Sequence, residues 1–475
     1  MKKTIKLAVV AALALGATSA FATNGDVMIG QGAKARSMGG TGIAKSFGAE
    51  SALVNPANIS SVKDMEATVA VTYFAPDVTV GSNARANINN AMGANGYNGP
   101  TTPPTPGSAF ATDNPGVVVD GASSAVVTGD SGSGSSVIPE VYFAARLTDK
   151  LVTGLAIAGT AGMGTDYTNT TNNGDFNMMT ALSLLKIAVP VSYELRDGLS
   201  LGATAVMQYG SLEMKHDTMP TGTRANGAST DVGYGYEVGL NYTNSGLSIG
   251  AVYKSAIAMS YANTIGASLS DFGVAGAITS GDSLEQPEER GIGLAYQMGG
   301  STLTADYKTI FWGDAKGYSD FGWENQDVYA LGYEYAGSGW AFRAGYNYAK
   351  SPIVEQDGSK SATRNSGLQP AQNYVGAVKN FFNLAGFPGI VETHYTIGAG
   401  YDITDALTLD GSFIYAPEVT ESFDTSGLTE GATYQFSAQA VSPATAGNIA
   451  AASAPSSVDV THSQMALTLA VSYKF

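Results

Sequence analysis

The chain has 475 residues, with 24 Lys+Arg against 40 Asp+Glu, a net charge of −16, 59 Gly, 25 Tyr and no Cys. Charged residues are 13% of the chain, about half the usual share of about 25%, and glycine is nearly double its usual ~7%. This balance speaks against a basic nucleic-acid-binding stripe. The missing cysteines exclude disulfides, thiolate metal sites and thiol nucleophiles, and 44% hydrophobic residues argue against disorder.

At the N-terminus, Lys2, Lys3 and Lys6 precede an apolar stretch from Leu7 to Ala17, and Ala20-Phe21-Ala22 offers a small-residue cleavage site. Residues 1–22 read as a secretory signal peptide. No apolar run of 18 residues follows, so a helical membrane protein is excluded. A secreted protein or an outer-membrane β-barrel remains. Residues 23–65 come next and show no alternation. They are marked by Gly30-Gln31-Gly32, Met38-Gly39-Gly40 and a turn at Asn55-Pro56-Ala57. Read from the residues alone, this segment is either a plug for the lumen of a wide barrel or a periplasmic linker.

From residue 66 onward large apolar residues alternate with small or polar ones. Met465, Leu467, Leu469, Val471 and Tyr473 alternate with Ala466, Thr468, Ala470 and Ser472. The spacing predicts strands over 66–76, 138–148, 151–161, 183–196, 199–213, 232–243, 246–260, 287–297, 301–312, 326–336, 339–349, 393–402, 406–416 and 463–475. Short connections such as Asp149-Lys150, Asp197-Gly198 and Gly337-Ser338 alternate strictly with long ones. A sandwich has no reason to obey that rule, whereas short periplasmic turns and long extracellular loops produce it. The expected fold is all-β: a 14-stranded antiparallel transmembrane β-barrel over 66–475. The long loops are expected to be mobile and solvated over most of their length.

Two features of this barrel are candidate sites. Gly159 and Gly162 in and after the third strand, with Pro190 on the next, point to a local opening in the wall, because glycine weakens a strand and proline cannot donate to the ladder; the alternative is tolerated glycines in a glycine-rich barrel and a proline near a strand bend. By parity Lys186, Lys254, Lys308 and Arg343 face the lumen with Asp306 and Glu334. An inward lysine can anchor a carboxylate; the alternative is pairing across the wall, as between Glu334 and Arg343. Catalytic signals are poor. His216, His394 and His462 are far apart, no metal-ligand spacing or G-x-S-x-G elbow is present, and Gly30-x-Gly32-x-x-Ala35 has no strand before it. Neither an enzyme nor a cofactor or metal is expected.

The ordered set of Met38-Gly39-Gly40, Asn55-Pro56-Ala57, Pro287-Glu288-Glu289-Arg290-Gly291-Ile292-Gly293, Ala305-Asp306-Tyr307 with Trp312, Trp340 to Tyr346 with Ser351-Pro352, and Phe387 to His394 resembles the FadL/TodX family of outer-membrane transporters for long-chain fatty acids and other hydrophobic compounds. The resemblance implies an N-terminal hatch plugging the lumen, with Asn55, Pro56 and Ala57 at its turn. It also implies capture near 214–231 and 261–286, and a lumenal pocket touched by Thr23 and Asn24. Release would be lateral through the wall at the third strand. The partners implied are hydrophobic small molecules, either long-chain fatty acids or aromatic or aliphatic hydrocarbons, and outer-membrane lipid around a monomer. A general hydrophilic porin and a surface adhesin are the readings from other classes.

Overall fold

A computed structural model describes residues 24–94, 127–168, 175–217, 223–360, 372–437 and 443–475. The segment 1–22, Thr23 and the proline-rich stretch 101–107 lie outside the described residues.

Fourteen long strands form the wall: β1 (Met65–Ser82), β2 (Ser136–Arg146), β3 (Leu151–Asp166), β4 (Met179–Arg196), β5 (Leu199–Asp217), β6 (Ser229–Asn244), β7 (Leu247–Lys254), β8 (Glu289–Met298), β9 (Ser301–Ile310), β10 (Gln326–Ala336), β11 (Trp340–Ala349), β12 (Thr393–Asp402), β13 (Leu407–Asp424) and β14 (Ser457–Lys474). Each pairs antiparallel with its neighbours in sequence, and β14 returns to pair with β1, from Glu66 opposite Lys474 to Ser82 opposite Val458. Closure removes the sheet edges, which lipid does not tolerate. Short pieces at Val127–Asp130 and Thr223–Ala225 add to β1 and β5 at the long-loop end.

The sidedness of the wall separates a membrane barrel from a water-soluble one. On β14, Met465, Leu467, Leu469, Val471 and Tyr473 are exposed, while Ala466, Thr468, Ala470 and Ser472 are buried. The greasy face points outward on every wall strand that alternates, as a lipid-facing band requires. Tyr335–Trp340 and Tyr473–Phe475 ring pairs near the short turns, and Tyr307–Tyr329 and Tyr346–Tyr395 pairs further up, mark its aromatic borders.

Three strands outrun the alternation furthest. β1, β13 and β14 continue to Ser82, Asp424 and back to Ser457, paired with one another above the apolar band. Residues such as Glu418, Thr420, Glu421 and Ser422 are polar on both faces, so nothing marks a strand there. A bulge between Ala416 and Val419 accommodates Pro417. β7 is shorter than its pattern suggests and ends at Lys254. Beyond it Ser255 Oγ accepts the Tyr236 amide, and the chain folds inward to bridge Ile257 with Gln286 and Ser260 with Ser283.

The long loops depart most from expectation. Helices α2 (Ala84–Ala94), α3 (Ile265–Asp271), α4 (Gln372–Phe381), α5 (Ser426–Ser437) and α6 (Pro443–Ala451) fold over the mouth, following α1 (Gly32–Ser37) of the N-terminal segment. Phe176, Phe272, Phe381 and Phe382 from three loops are fully buried together, with ring centroids 5.2–6.4 Å apart. Their described parts form an apolar cap rather than solvated chain, because aromatic burial outweighs the cost of ordering the backbone.

Candidate functional site

Residues 24–64 lie inside the barrel and touch the inward face of the wall around its circumference. Gly39 sits at φ +69°, and a Cβ there would fall 2.6 Å from the Tyr346 carbonyl. Glycine therefore lets the hatch backbone press against β11, where Asn347 Nδ2 donates to Gly39 O (3.0 Å) and the Gly39 amide donates to Thr396 Oγ1 on β12 (2.9 Å). Asp306 on β9 accepts the amides of Gly42 (2.7 Å) and Ile43 (2.9 Å). Asn55 caps the turn at Pro56–Ser61 by accepting the Ala57 amide (3.0 Å), and its own amide donates to Ile43 O (2.7 Å) and Leu240 O on β6 (3.1 Å). Arg36 is wholly buried, paired with buried Glu140 of β2 and donating to Thr72 Oγ1 of β1 (2.7 Å).

The face toward the short turns is a charged floor. Lys34 pairs with Glu50 (3.1 Å) and Asp410 (3.6 Å), Arg343 with Asp410 (2.8 Å) and Glu334 (2.7 Å), and Lys45 with Glu334 (2.9 Å). Arg343 thus pairs across the wall with Glu334, with Asp410 as a second partner. Lys34, Lys45, Glu334 and Arg343 border a vestibule of about 700 Å³ below the hatch.

Above the floor, the hatch N-terminus meets the three lysines. Two adjoining cavities of about 20 and 50 Å³ lie here, lined by Asn24, Val27, Leu53, Lys186, Lys254 and Lys308 among others. Lys308 pairs with Glu289 at 3.1 Å, and Lys254 reaches the same carboxylate at 3.8 Å while donating to Leu53 O at 3.1 Å. Lys186 stands 3.8 Å from Glu237, whose two carboxylate oxygens accept no hydrogen bond. Asn24 is fully buried with both amide atoms unpartnered. Small-molecule pockets hold about 300–1,000 Å³, so this space as it stands is too small for such a ligand.

The same hatch end closes a seam in the wall. Pairing between β2 and β3 stops at Glu140 opposite Ala158, although β3 runs on to Asp166. The side chain of Ile138 fills the place a Cβ on Gly159 would take, 2.6 Å away. Beyond it the hatch supplies the missing strand: Val27 bridges Ala161, the Met28 amide donates to Thr160 O (3.1 Å), and the Gly162 amide donates to Asp26 O (2.9 Å). Gly159 also borders a bulge in the β3–β4 ladder, at Gly159/Ala161. Pro190 does not belong to this seam. It lies beside Gly154 on the opposite edge of β3, where the β3–β4 pairing is interrupted for two residues with the register kept, about 17 Å further along the strand.

Asp26 was not marked by its sequence context, and it is the pivot of this region. Its Oδ2 accepts from Gln286 Nε2 (2.9 Å) and from the Tyr318 hydroxyl, which tie the hatch end to two loops; its Oδ1 is buried and unpartnered. Burial pushes the carboxyl up to about 6, against the two hydrogen bonds and Lys186, which lower it. Gly25, at φ +67°, lies flat on Trp312, which packs with Tyr318 and Trp323. Arg224 and Asp271 form a two-pronged ion pair between the loops expected to capture ligand, with residues 218–222 outside the described set.

The fold is shared with known channels. The structure aligns with a crystal structure of a Pseudomonas aeruginosa FadL homologue (TM-score 0.60, 14% identity, covering 95% of this chain and 100% of that one). It also aligns with the toluene transporters TodX of P. putida (0.57, 16%, 94% and 99%) and TbuX of Ralstonia pickettii (0.54, 16%, 94% and 99%). An 85-residue stretch is 38% identical to an uncharacterized protein encoded in the 5′ region of the phosphoenolpyruvate carboxykinase gene of Chlorobium limicola; it spans 18% of this chain and 42% of that relative's length. Residues 8–287 match the family described as outer membrane protein transport protein (OMPP1/FadL/TodX), and with the closed 14-stranded wall around an N-terminal hatch, the chain belongs to that family of outer-membrane β-barrel transporters.

Proposed function

We propose that the protein carries long-chain fatty acids inward across the outer membrane without catalysis or an energy source, releasing them sideways through the seam between β2 and β3. The observation that carries the substrate class is the amphiphilic character of the site at the hatch end. Among the described residues Lys186 has only a loose partner in Glu237 and the side-chain amide of buried Asn24 is unpaired, while Val27, Leu53 and Ile257 supply apolar walls. A carboxylate at Lys186 gains a charge-assisted bond, and an alkyl chain gains the apolar surface.

The exit follows from what blocks each path. Downward, an apolar ligand meets a floor of five ion pairs and would desolvate them. Sideways, it meets the short run of hatch residues Asp26 to Met28 hydrogen-bonded to β3. Lysine-independent transport of toluene or alkanes is the second reading, favoured by the likeness to two barrels named as toluene transporters.

The test is uptake of labelled oleate, toluene and a sugar by cells lacking their own transporter and expressing this chain. Oleate uptake without sugar leakage is expected. Toluene uptake without oleate uptake would move the assignment to hydrocarbons, sugar leakage without selectivity to a porin, and entry of none of the three to an adhesin.

A further inference from the structure

Asp26 joins the hatch end to β3 and to two of the long loops. Its carbonyl oxygen accepts the Gly162 amide and so holds the plug against β3. Its carboxylate accepts from Gln286, in the loop before β8, and from Tyr318, in the loop before β10. Displacing either loop pulls on the residue that closes the seam. Its side chain is fully buried, and among the described residues both of its donors converge on Oδ2 while Oδ1 has none.

We infer that Asp26 is a proton-sensitive latch, a positioning residue whose neutral form holds the hatch end closed and whose ionised form releases it. The inference deepens the lateral-release reading and rests on it. The chemistry follows from the two oxygens. A proton placed on Oδ1 costs neither the Gln286 nor the Tyr318 bond and removes a buried negative charge that no donor supports at that oxygen. Once the hatch end leaves, the carboxylate is solvated and ionises at its ordinary value. The charged groups around it are Lys186 on β4, which favours the ionised form, and Glu289 at the start of β8, which opposes it. Tyr261 and Tyr318 face it from the loops, and both are held neutral, Tyr261 chiefly by its own burial and Tyr318 by burial and by the Asp26 charge.

The sign follows from which state binds the proton more tightly. The carboxyl lies near 6 in the closed hatch and at 3.8 when solvated. Protonation therefore favours the closed form, and that advantage is lost as pH rises through about 6. Between pH 7 and pH 5 the closed-to-open ratio should rise about tenfold.

Hydrogen–deuterium exchange at residues 24–28 and 160–162, in lipid nanodiscs and corrected for the intrinsic pH dependence of exchange, reads this directly without any ligand. Wild-type protection should be about tenfold greater at pH 5 than at pH 7. Asp26→Asn, which keeps the Oδ2-type acceptor and carries no charge, should be strongly protected at both. Equal pH response in wild type and Asp26→Asn would overturn the latch, as would faster exchange in Asp26→Asn at both pH values, the signature of a merely structural carboxylate. Because no transport is measured, either result leaves the substrate and exit assignments to their own test.

Discussion

Removing Glu140 is the sharpest perturbation of the hatch. Arg36 and Glu140 are both fully buried, and among the described residues the guanidinium otherwise has only the hydroxyls of Thr72 (2.7 Å) and Thr468 (3.5 Å) and the Met28 sulfur (3.7 Å). Glu140→Ala leaves a buried cation without its ion-pair partner. Breaking one side of such a pair costs about 3–5 kcal/mol, because the remaining charge stays desolvated. That corresponds to a shift of roughly 150- to 4,000-fold in the docked-to-undocked ratio of the hatch. The assay is native-state amide exchange at Gly30 to Thr41 in nanodiscs, with leakage of a small sugar as the functional readout. Replacing both partners, as Arg36→Met with Glu140→Leu, should restore most of the protection, since no unpaired charge then remains. The reasoning is refuted if Glu140→Ala leaves hatch protection within about 0.5 kcal/mol of wild type, the scatter of an ordinary surface substitution.

Other outcomes follow from the same contacts. Lys186→Met should weaken oleate binding about 10- to 150-fold, the worth of one charge-assisted hydrogen bond, and leave toluene binding unchanged; titration calorimetry in detergent measures both. Gly25→Ala should loosen the hatch end, since its φ is +67° and the new methyl would lie 2.6 Å from the Trp312 ring; faster exchange at residues 24–28 and faster oleate release are expected. Gly162→Pro removes the amide that Asp26 O accepts and should produce a leaky seam, read as oleate uptake that no longer saturates.

How far the sequence reached differs between wall and site. β10 (Gln326–Ala336) and β12 (Thr393–Asp402) occupy the stretches that alternate, because lipid on one side and a polar interior on the other impose period 2. The upper ends of β1, β13 and β14 were not legible, since outside the apolar band neither face needs to be greasy. Gly159 and Gly162 signalled a weak wall strand, but their partner in the seam could not be read. The pairing of Val27 with Ala161 joins residues distant in sequence, and its hatch side has no alternation to mark a strand. Parity did place Lys186, Lys254 and Lys308 in the lumen. It could not say which carboxylate each would meet, because that depends on strand stagger. Glu140 was open to the same parity argument, as an acid on the inward face of β2 that needs a cation, and Arg36 supplies it. The buried phenylalanines of the cap, in loops without periodicity, carried no local signal of where they pack.

Lateral release requires the hatch end to be a removable piece of the wall. Val27 and Ala161 face each other as a non-hydrogen-bonded antiparallel pair, flanked by the Met28–Thr160 and Gly162–Asp26 bonds. Such pairs hold their Cα atoms about 4.5 Å apart, within the range a disulfide spans. The chain has no cysteine of its own, so Val27→Cys with Ala161→Cys can be oxidised without competing thiols. Oleate uptake should stop when this pair is oxidised and return on reduction, with either single substitution alone active under both conditions. Undiminished uptake through the cross-linked barrel would contradict the lateral route.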